Sequence, residues 1–306
     1  MDLRILEATT DADLERVLAV RSEMERPLSL AGLHAERSSV VASLDLIAVA
    51  NGTDVGSGSI AWGPISVETR NVFNFAWVLP EHRRHGVGTA LLDRLAGFAR
   101  ENGMERMTTL VYKDDPASIE FIERRGLEID GGGQLGRLDL TSNDIDDGGD
   151  ADEVEGLTVV TLAERPEREH EMYDLDMLVQ PEIPMAASEP LPTFETWQAT
   201  RSGDPGFLPG LTFLALTDGR LVGAIQLYDN GDESAFIGMT AVHPDARRRG
   251  IARRLKVELT RRAREQGLRA VETYNDGTNE RIRGLNESIG YVYDPPYVLL
   301  RGPLPG

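Results

Sequence analysis

The sequence predicts an α/β (α+β) protein with two tandem domains, each a mixed, largely antiparallel sheet flanked by helices. The first observation is a repeat: the segment Val78–Gly88 recurs as Val242–Ala252, at an offset of 164 residues. The second is a turn dipeptide between two apolar runs in each copy, and the third is an apolar pattern with helical spacing after each repeated segment. A period this long excludes a solenoid, whose repeats run to about 20–50 residues, and indicates two whole domains.

The elements of the first copy follow from its pattern. A short alternating strand, Leu3–Glu7, comes first, and a charge-rich helical stretch follows it. Asn51-Gly52 then separates two apolar runs, and this dipeptide is among the strongest short-range indications of a β-hairpin. A further strand, Val72–Val78, leads into the repeated segment. Apolar residues that follow this segment recur at helical spacing up to Gly103, which predicts a helix. A strand and a second helix are predicted to follow and to complete the domain.

The second copy has the same order. It begins with the strand Leu157–Leu162, turns at Asp218-Gly219, and enters its repeated segment from the strand Ala235–Val242. A helix that ends at Gly267 follows.

The chain therefore divides into an N-terminal domain over residues 1–140 and a C-terminal domain over residues 157–306. Residues 141–156 have almost no apolar content and many carboxylates. Such a segment cannot offset its ordering entropy by burial, so we expect an acidic, flexible linker.

Composition limits the function. Apolar residues make up 41% and charged residues 27% of the chain, no apolar run reaches the roughly 18–20 residues of a membrane span, and no secretory signal is visible. These features predict a cytoplasmic protein with no membrane partner. The net charge of −19 argues against nucleic acid as a partner, because a polyanion is repelled, and it fits a small cationic substrate.

The use of cysteine and lysine is also informative. The chain has no cysteine, which excludes disulfides, thiolate metal sites and a cysteine nucleophile, and we predict no metal site. Lys113 and Lys256 are the only lysines among 32 basic residues, which we attribute to a coding bias toward arginine.

The repeated segment has what an anion-binding loop needs. Gly86 and Gly250 let the backbone approach a ligand closely, the first amides of the following helix lack partners within it, and the helix dipole favours an anion. The arginines add charge-assisted contacts to phosphate. In a single copy, such a segment could instead be a purely structural turn. Because the segment occurs in both copies, this alternative is disfavoured. A Rossmann dinucleotide loop fits less well, because the third glycine is missing and the preceding strands alternate.

The pattern Val-x-Pro-x-x-Arg-Arg-x-Gly-x-Gly/Ala in both copies resembles the acetyl-CoA-binding motif of the GCN5-related N-acetyltransferase (GNAT) superfamily. The segments Asp115–Leu127 and Thr273–Tyr291 are similar to the strand-and-helix segments that close the same fold. The resemblance implies a sheet splayed into a V where Val78 or Val242 ends, with the pantetheine arm of acetyl-CoA in the gap and its pyrophosphate on the loop amides.

The resemblance implies a set of acetyl-CoA-binding residues in each copy. They are Val78, Arg83, Arg84, His85, Gly86, Val87, Gly88 and Thr89 in the first copy, and Val242, Arg247, Arg248, Arg249, Gly250, Ile251, Ala252, Arg253, Asn275 and Asn279 in the second. For the two asparagines, roles as turn and helix-cap residues are the alternative.

The resemblance further implies that an acceptor amine attacks the thioester directly, with a base and a proton donor for the departing thiolate. The usual donor is a tyrosine four residues before the closing glycine, and that position is Ile122 in the first copy and Asn286 in the second. We therefore expect the first copy to be catalytically impaired and the second to use Asn286 as a hydrogen-bond donor to sulfur. Glu233 is the candidate base, with Tyr274 and His243 as polar neighbours; ordinary surface or core roles are the alternative for these three.

The segment 178–197 of the second copy is expected to cover the acceptor. Two carboxylates would face a cationic amine and three apolar side chains would form a wall: Glu182, Glu189, Met185, Phe194 and Trp197. A packed structural loop is the alternative.

The leading prediction is an acetyl-CoA-dependent N-acetyltransferase that acts on a small-molecule amine, as a monomer with pseudo-symmetric domains or as a homodimer. A non-catalytic protein that binds or senses acyl-CoA is the alternative, and the two missing tyrosines favour it. The tandem arrangement also resembles that of mycothiol synthase, which gives a third, lesser alternative.

Overall fold

The structure is a computed structural model that describes residues 2–22, 30–37, 40–142, 145, 154–183, 191–277 and 279–306. It divides into two compact units. The first unit consists of Met1–Asp130 together with Tyr297–Gly306, and the second of Gly131–Pro296.

The sheet of the first unit has the strand order β1-β2-β3-β4-β5-β13. Its strands are β1 (Leu3–Glu7), β2 (Ala42–Ala50), β3 (Thr53–Trp62), β4 (Asn71–Val78), β5 (Arg106–Tyr112) and β13 (Tyr297–Pro303), and its helices are α1 (Asp11–Ser22), α2 (Leu30–Arg37), α3 (Pro64–Thr69), α4 (Val87–Glu101) and α5 (Pro116–Glu123). β4 and β5 pair in parallel, whereas the other neighbours are antiparallel.

The sheet of the second unit has the strand order β6-β11-β10-β9-β8-β7, with β12 also paired to β6. Its strands are β6 (Glu128–Asp139), β7 (Leu157–Thr161), β8 (Phe213–Thr217), β9 (Arg220–Gly231), β10 (Ser234–Val242), β11 (Ala270–Asp276) and β12 (Val292–Tyr293), and its helices are α6 (Glu169–Val179), α7 (Phe194–Thr200), α8 (Ile251–Glu265) and α9 (Glu280–Ile289). β10 and β11 are the parallel pair.

Both predicted hairpins are present, and local backbone geometry explains them. Asn51 and Gly52 have φ of 51° and 85°, and Asp218 and Gly219 have φ of 50° and 75°. Two consecutive positive φ values give a type I′ turn, whose twist matches that of the flanking strands. The predicted fold class, a mixed and largely antiparallel sheet flanked by helices, is confirmed in each unit.

Each unit has its own apolar core. In the first unit, Leu91, Leu95 and Ala99 of α4 are fully buried against the sheet, and each buried leucine stabilises the fold by about 1.5–3 kcal/mol. In the second unit, α8 covers one face of the sheet through Leu255 and Leu259, and a separate cluster under α6 and α7 covers the other. No helix in the described residues is long and apolar enough to cross a membrane.

The units differ from the predicted ranges 1–140 and 157–306 by an exchange of strands. β6 follows the last helix of the first copy, yet it pairs antiparallel with β11 of the second unit, and β13 pairs antiparallel with β5 of the first unit. Each copy thus contributes its last strand to the sheet of the other copy. A sequence repeat does not reveal this, because an antiparallel strand of the same pattern fits either sheet.

Most of the predicted linker, residues 141–156, lies outside the described residues. Of those described, Ile145 and Val154 pack against the core of the second unit. A flexible linker stays a prediction.

Candidate functional site

The repeated loop has the same backbone conformation in both units. Arg84 and Arg248 have φ of 65° and 64°, and Gly86 and Gly250, the N-caps of α4 and α8, have φ of 85° and 82° with ψ of −4° and −1°. These are left-handed conformations that few residues other than glycine adopt readily. The recurring sequence therefore encodes one specific loop twice.

The loop presents unpaired amides at the start of a long helix. α4 and α8 each have 15 residues, and no side chain caps the first turn of either. Because the first amides of a helix have no partner within it and its dipole is positive there, each N-terminus favours an anion.

The first arginine of each loop forms a hydrogen bond to the strand that precedes the loop. Arg83 donates from Nε to the carbonyl oxygen of Val78 at 3.1 Å, and Arg247 donates to Val242 at the same distance. Each arginine thus ties the loop to the end of the strand before it. Arg248 and Arg249 are exposed and remain available to a ligand.

A cleft opens in the first unit where two parallel strands separate. β4 and β5 pair from Asn71 and Arg106 to Asn74 and Thr109, and beyond this point they part around a cavity of about 450 Å³. The sequence predicts that the strands separate at Val78. In the structure they separate after Asn74, four residues earlier. Six of the predicted residues line the cavity: Val78, Arg83, Arg84, Gly86, Gly88 and Thr89.

The other two predicted residues of this loop lie elsewhere. Val87 is buried in the apolar core, and His85 is exposed. In the second loop Ile251, the counterpart of Val87, is likewise buried in the core. Arg253 donates to the Ser288 hydroxyl at 3.0 Å.

Charged side chains hold α5 against the first loop. Asp115 accepts from the Ser118 amide at 3.0 Å, which caps α5, and from Arg83 at 3.0 Å. Partial burial opposes ionisation, yet the hydrogen bonds from Ser118 and the charge of Arg83 hold the pKa of Asp115 below its usual value. Arg125 lies over the Phe121 ring, 3.6 Å from its centre.

The corresponding strands of the second unit separate beside a β-bulge. β10 and β11 pair from Ser234 and Ala270 to Ile237 and Thr273, and the register of β10 with β9 shifts between Ile237 and Met239. Gly238 is the extra residue, whereas β4 pairs with β3 in continuous register. Bulges re-aim the backbone and are frequent next to active sites.

A chain of buried polar side chains begins at this bulge. The Tyr228 ring covers Gly238 so closely that a Cβ there would lie 2.5 Å from it. The Tyr228 hydroxyl donates to Gln226 at 3.4 Å, and Asp176 accepts from Gln226 at 2.6 Å and from Trp197 Nε1 at 2.9 Å. The second Asp176 oxygen has no partner. Burial raises the pKa of Asp176 and raises that of Tyr228 to about 12.

The structure places Asn286 differently from the prediction. The side chain is fully buried, and its amino group donates to Asn275 Oδ1 at 2.8 Å and to the Tyr293 hydroxyl at 2.7 Å. Because both N–H bonds are engaged, Asn286 has none to donate to a sulfur atom. Tyr293 in turn donates to Asn275 at 2.6 Å, and burial raises the pKa of Tyr293.

Glu233 also lies away from its predicted position. It occupies the turn before β10 with φ of 55°, is exposed, and lies 3.9 Å from Arg269. This is the paired end of β10 and β11, whereas the strands separate toward Val242. The structure therefore does not bring Glu233 to the cleft.

The remaining candidates have structural contacts. Tyr274 is half exposed and packs on Phe236 with ring centres 5.4 Å apart. His243 accepts from the Asp245 amide at 3.3 Å. Asn279 is the N-cap of α9, which is the alternative that its sequence position left open.

The acceptor segment shows one change of role. Glu182 forms two contacts with Arg247, at 2.7 and 3.1 Å, so its carboxylate is engaged by the second loop. Trp197 is buried and stacks near Phe194, which makes it core rather than an open wall. Glu189 and Met185 lie outside the described residues.

Sequence reasoning missed Asp176, Gln226, Tyr228, Tyr293 and Lys256. Gln226 is an isolated polar residue in the apolar part of β9, and that was the available indication, whereas Asp176 is one of four acidic residues in α6 and its sequence position does not distinguish it. Tyr293 lies beyond the repeated motif, and its proximity to Asn286 depends on the pairing of β12 with β6.

Comparisons with known proteins agree with these observations. A model of the acetyltransferase (GNAT) family matches residues 11–127 and 169–291. A mycothiol acetyltransferase of Thermomonospora curvata is 32% identical over 105 residues, which cover 34% of this chain and 35% of that protein. The match therefore spans about a third of the length of this curated relative.

Two solved structures share the fold over the whole chain. A GCN5-related N-acetyltransferase from Sphaerobacter thermophilus has a TM-score of 0.76 at 18% identity and covers 99% of this chain and 96% of its own. A tandem GNAT protein from the clavulanic acid biosynthesis pathway has a TM-score of 0.72 at 21% identity, with 100% and 99% covered. At these identities the two structures show a common fold.

Proposed function

The chain belongs to the acetyltransferase (GNAT) family, and from this we propose that it is an acetyl-CoA-dependent N-acetyltransferase acting on the primary amine of a small, cationic acceptor. One observation carries the proposal: in both units, parallel strands separate beside the uncapped N-terminus of a 15-residue helix. The same arrangement supplies an anion site and an extended groove.

The residues of the first unit fit coenzyme A. The loop amides and Arg84 suit a pyrophosphate, and the cavity continues along β4 and β5. Asn74 lies at the point of separation, where it is buried and donates to the Thr108 carbonyl at 3.0 Å while its own Oδ1 has no partner. A pantetheine arm carries amide N–H groups, which are the donors that such an oxygen lacks.

Acetyl-CoA, when bound, supplies an acyl group activated as a thioester. The chain's own residues would orient it: the amides of Arg84 to Thr89, or of Arg248 to Arg253, would hold the phosphates, and the exposed edges of the separated strands would hold the arm. The acceptor amine has a pKa near 10 and must lose a proton before it attacks.

The second unit is proposed as the catalytic one. Its bulge at Gly238 and the buried polar chain of Tyr228, Gln226 and Asp176 lie where its strands separate, whereas the first unit has Ile122 in the cavity wall. The net charge of −19 supports a cationic acceptor, because long-range attraction raises its local concentration.

Binding of acetyl-CoA tests this proposal. Gly86 and Gly250 have positive φ, so substitution there adds backbone strain to any electrostatic effect. Gly88→Glu and Ala252→Glu avoid this, because both residues lie in the first turn of a helix, and a Cβ at Gly88 would make only ordinary contacts at 3.5 Å or more. A carboxylate there repels phosphate, whereas its interaction with the positive end of the helix dipole stabilises the helix.

Gly97→Glu and Gly284→Glu are matched controls, because both glycines lie within helices and have open space around the Cβ position. We expect calorimetry to give two acetyl-CoA sites per chain, one lost in each loop variant and both kept in the controls. The release of thiol on addition of small polyamines would then be lost in Ala252→Glu and kept in Gly88→Glu. Absence of acetyl-CoA binding in the unmodified protein refutes the proposal.

Two other functions have specific support. The apolar wall at Ile122 favours a first unit that binds acyl-CoA without turnover, and acyl-CoA binding without thiol release for any amine would extend this to the whole chain. The identity with mycothiol acetyltransferase favours a mycothiol synthase-like enzyme, which acetylation of a cysteinyl pseudodisaccharide would reveal. A cytoplasmic location and a monomer or homodimer complete the proposal, and cell fractionation and analytical ultracentrifugation test them.

A further inference from the structure

Besides Asp176 and Thr217, three side chains of the second unit have a buried polar atom without a hydrogen-bond partner. The atoms are Lys256 Nζ, Asn286 Oδ1 and the Tyr291 hydroxyl, and the exposed fractions of the three residues are 1%, 0% and 4%. Lys256 Nζ lies 5.5 Å from the centre of the Tyr291 ring. Unsatisfied buried polar atoms are rare in folded proteins and call for an explanation, and a buried lysine is the costliest of the three.

The repeat shows which space these residues face. At the offset of 164 residues, Lys256 corresponds to Leu92 and Asn286 to Ile122. Leu92 and Ile122 both line the cleft of the first unit, and both are buried, with exposed fractions of 2% and 7%.

The elements that carry these residues also correspond. α4 and α8 have the same bounds at this offset, as do β5 and β11. Lys256 and Asn286 therefore lie on the wall of the second unit's cleft. Where the first unit has two apolar side chains, the second has an amine and an amide.

From this correspondence we propose that Lys256 is a catalytic residue of the second unit, the group that gives a proton to the sulfur of departing coenzyme A. The inference rests on the proposed acetyl transfer. It assigns the donor that Asn286 cannot be, since the amino group of Asn286 is engaged by Asn275 and Tyr293. Asn286 Oδ1 has no hydrogen-bond partner, and it is an acceptor by its chemistry.

The acidity of Lys256 suits this role. Burial lowers its pKa to about 7, whereas an ordinary thiol has a pKa of about 8.5. An ammonium of pKa about 7 is the stronger acid, so proton transfer to a thiolate is favourable. Tyr291 contributes no charge, because burial raises its pKa above the usual value.

The step balances without a further reactant. A bond forms between the acceptor nitrogen and the carbonyl carbon, and the bond between that carbon and sulfur breaks. Lys256 gives its proton to sulfur and becomes a neutral amine. It recovers a proton that the acceptor nitrogen releases to solvent, and the protein ends unchanged.

The chain offers a direct measurement, because it contains two lysines and the other, Lys113, is exposed. Protein labelled with ¹³C at the lysine side chains gives two sets of signals, which Lys256→Leu and Lys113→Leu assign. We expect the Lys256 signal to titrate near 7. Coenzyme A as the probe should shift the Lys256 signal.

Lys256→Leu restores the residue of the first unit, so we expect it to fold. Its kcat should fall by about 10²–10⁴ with an unchanged KM for acetyl-CoA, and the loss of rate above pH 7 that marks the protonated donor should disappear. Lys113→Leu should match the unmodified protein in every measurement.

The outcomes separate the two proposals. Titration of Lys256 near 10, a Lys256 signal indifferent to coenzyme A that binds at the second loop, or full turnover by Lys256→Leu would each overturn the role of Lys256 while acetyl transfer stands. Absence of coenzyme A binding and of transfer in the unmodified protein would overturn the proposed function, whatever the titration of Lys256 shows.

Discussion

Replacement of Asp176 by Ala should lower the stability of the protein, whereas replacement by Asn should not. Asp176 is buried with an exposed fraction of 1%, and one of its oxygens accepts from Trp197 and Gln226. Asparagine keeps that acceptor and removes the buried charge, so the free energy of unfolding should stay the same or rise at pH 8. Alanine leaves two buried donors unpaired at about 1–3 kcal/mol each, a loss of roughly 2–6 kcal/mol.

The pH dependence of the Asn variant isolates the carboxyl group. Burial raises the pKa of Asp176 above its usual value of 3.8, so the folded protein binds the proton more tightly than the unfolded chain. Stability therefore falls as pH rises from 3.8 through the folded-state pKa, and it is constant above that value. The difference between the unmodified protein and Asp176→Asn should follow this course.

Urea unfolding at a series of pH values between 3 and 8 measures these differences through the midpoint and slope. Both units carry tryptophan, so fluorescence and circular dichroism should be compared to establish whether the transition has two states. If Asp176→Asn at pH 8 is as unstable as Asp176→Ala, the negative charge itself is stabilising and the reasoning from burial is refuted.

Three further outcomes are expected. Asp115→Ala removes the cap at the Ser118 amide and should lower the free energy of unfolding by about 0.5–2 kcal/mol. Because folding lowers the pKa of Asp115, this loss should be present above pH 3.8 and vanish in urea titrations at more acidic pH. A loss that grows on acidification contradicts this reasoning. Gly223→Ala would place a Cβ 2.9 Å from Ile251 and should cost about 1–3 kcal/mol by overpacking in thermal unfolding, whereas Gly210→Ala, with open space around it, should not; equal effects refute the packing argument. The C-terminal copy expressed alone lacks β6, so β11 would have an unpaired edge and should aggregate on size-exclusion chromatography; a stable monomer would be the contrary result.

The parts of the fold that the sequence predicts are those set by local chemistry. The turns at Asn51 and Asp218 follow from residues that tolerate positive φ, and the loops at Gly86 and Gly250 recur with the same backbone because their sequences recur. The exchange of β6 and β13 could not be predicted in this way. It depends on pairing between strands far apart in the sequence, which the period-2 pattern of a strand does not specify.

The site divides along the same line. Glycines and arginines of the loop are recognisable because they act through the backbone and through charge, whereas the bulge at Gly238 depends on register with β9. The sequence distinguishes Lys256 only as one of two lysines, and its burial depends on the packing of α8 against the sheet. The repeat pairs Lys256 with Leu92, but the sequence does not indicate that Leu92 lines a cleft, which the structure shows.

The exchange of strands explains how the first copy could lose catalytic activity and still be retained in the chain. The sheet of the second unit includes β6 from the first copy, and the sheet of the first unit includes β13 from the second. Loss of the first copy would therefore leave the proposed catalytic sheet with an unpaired strand at its edge, which is an opening for aggregation. Substitutions that remove proton donors from the first cleft, such as an isoleucine at position 122, carry no such cost because they add to an apolar core. Under the proposed division of roles, the fold of the first copy is maintained by the strand that it contributes to the second sheet, and its cleft serves for binding without turnover.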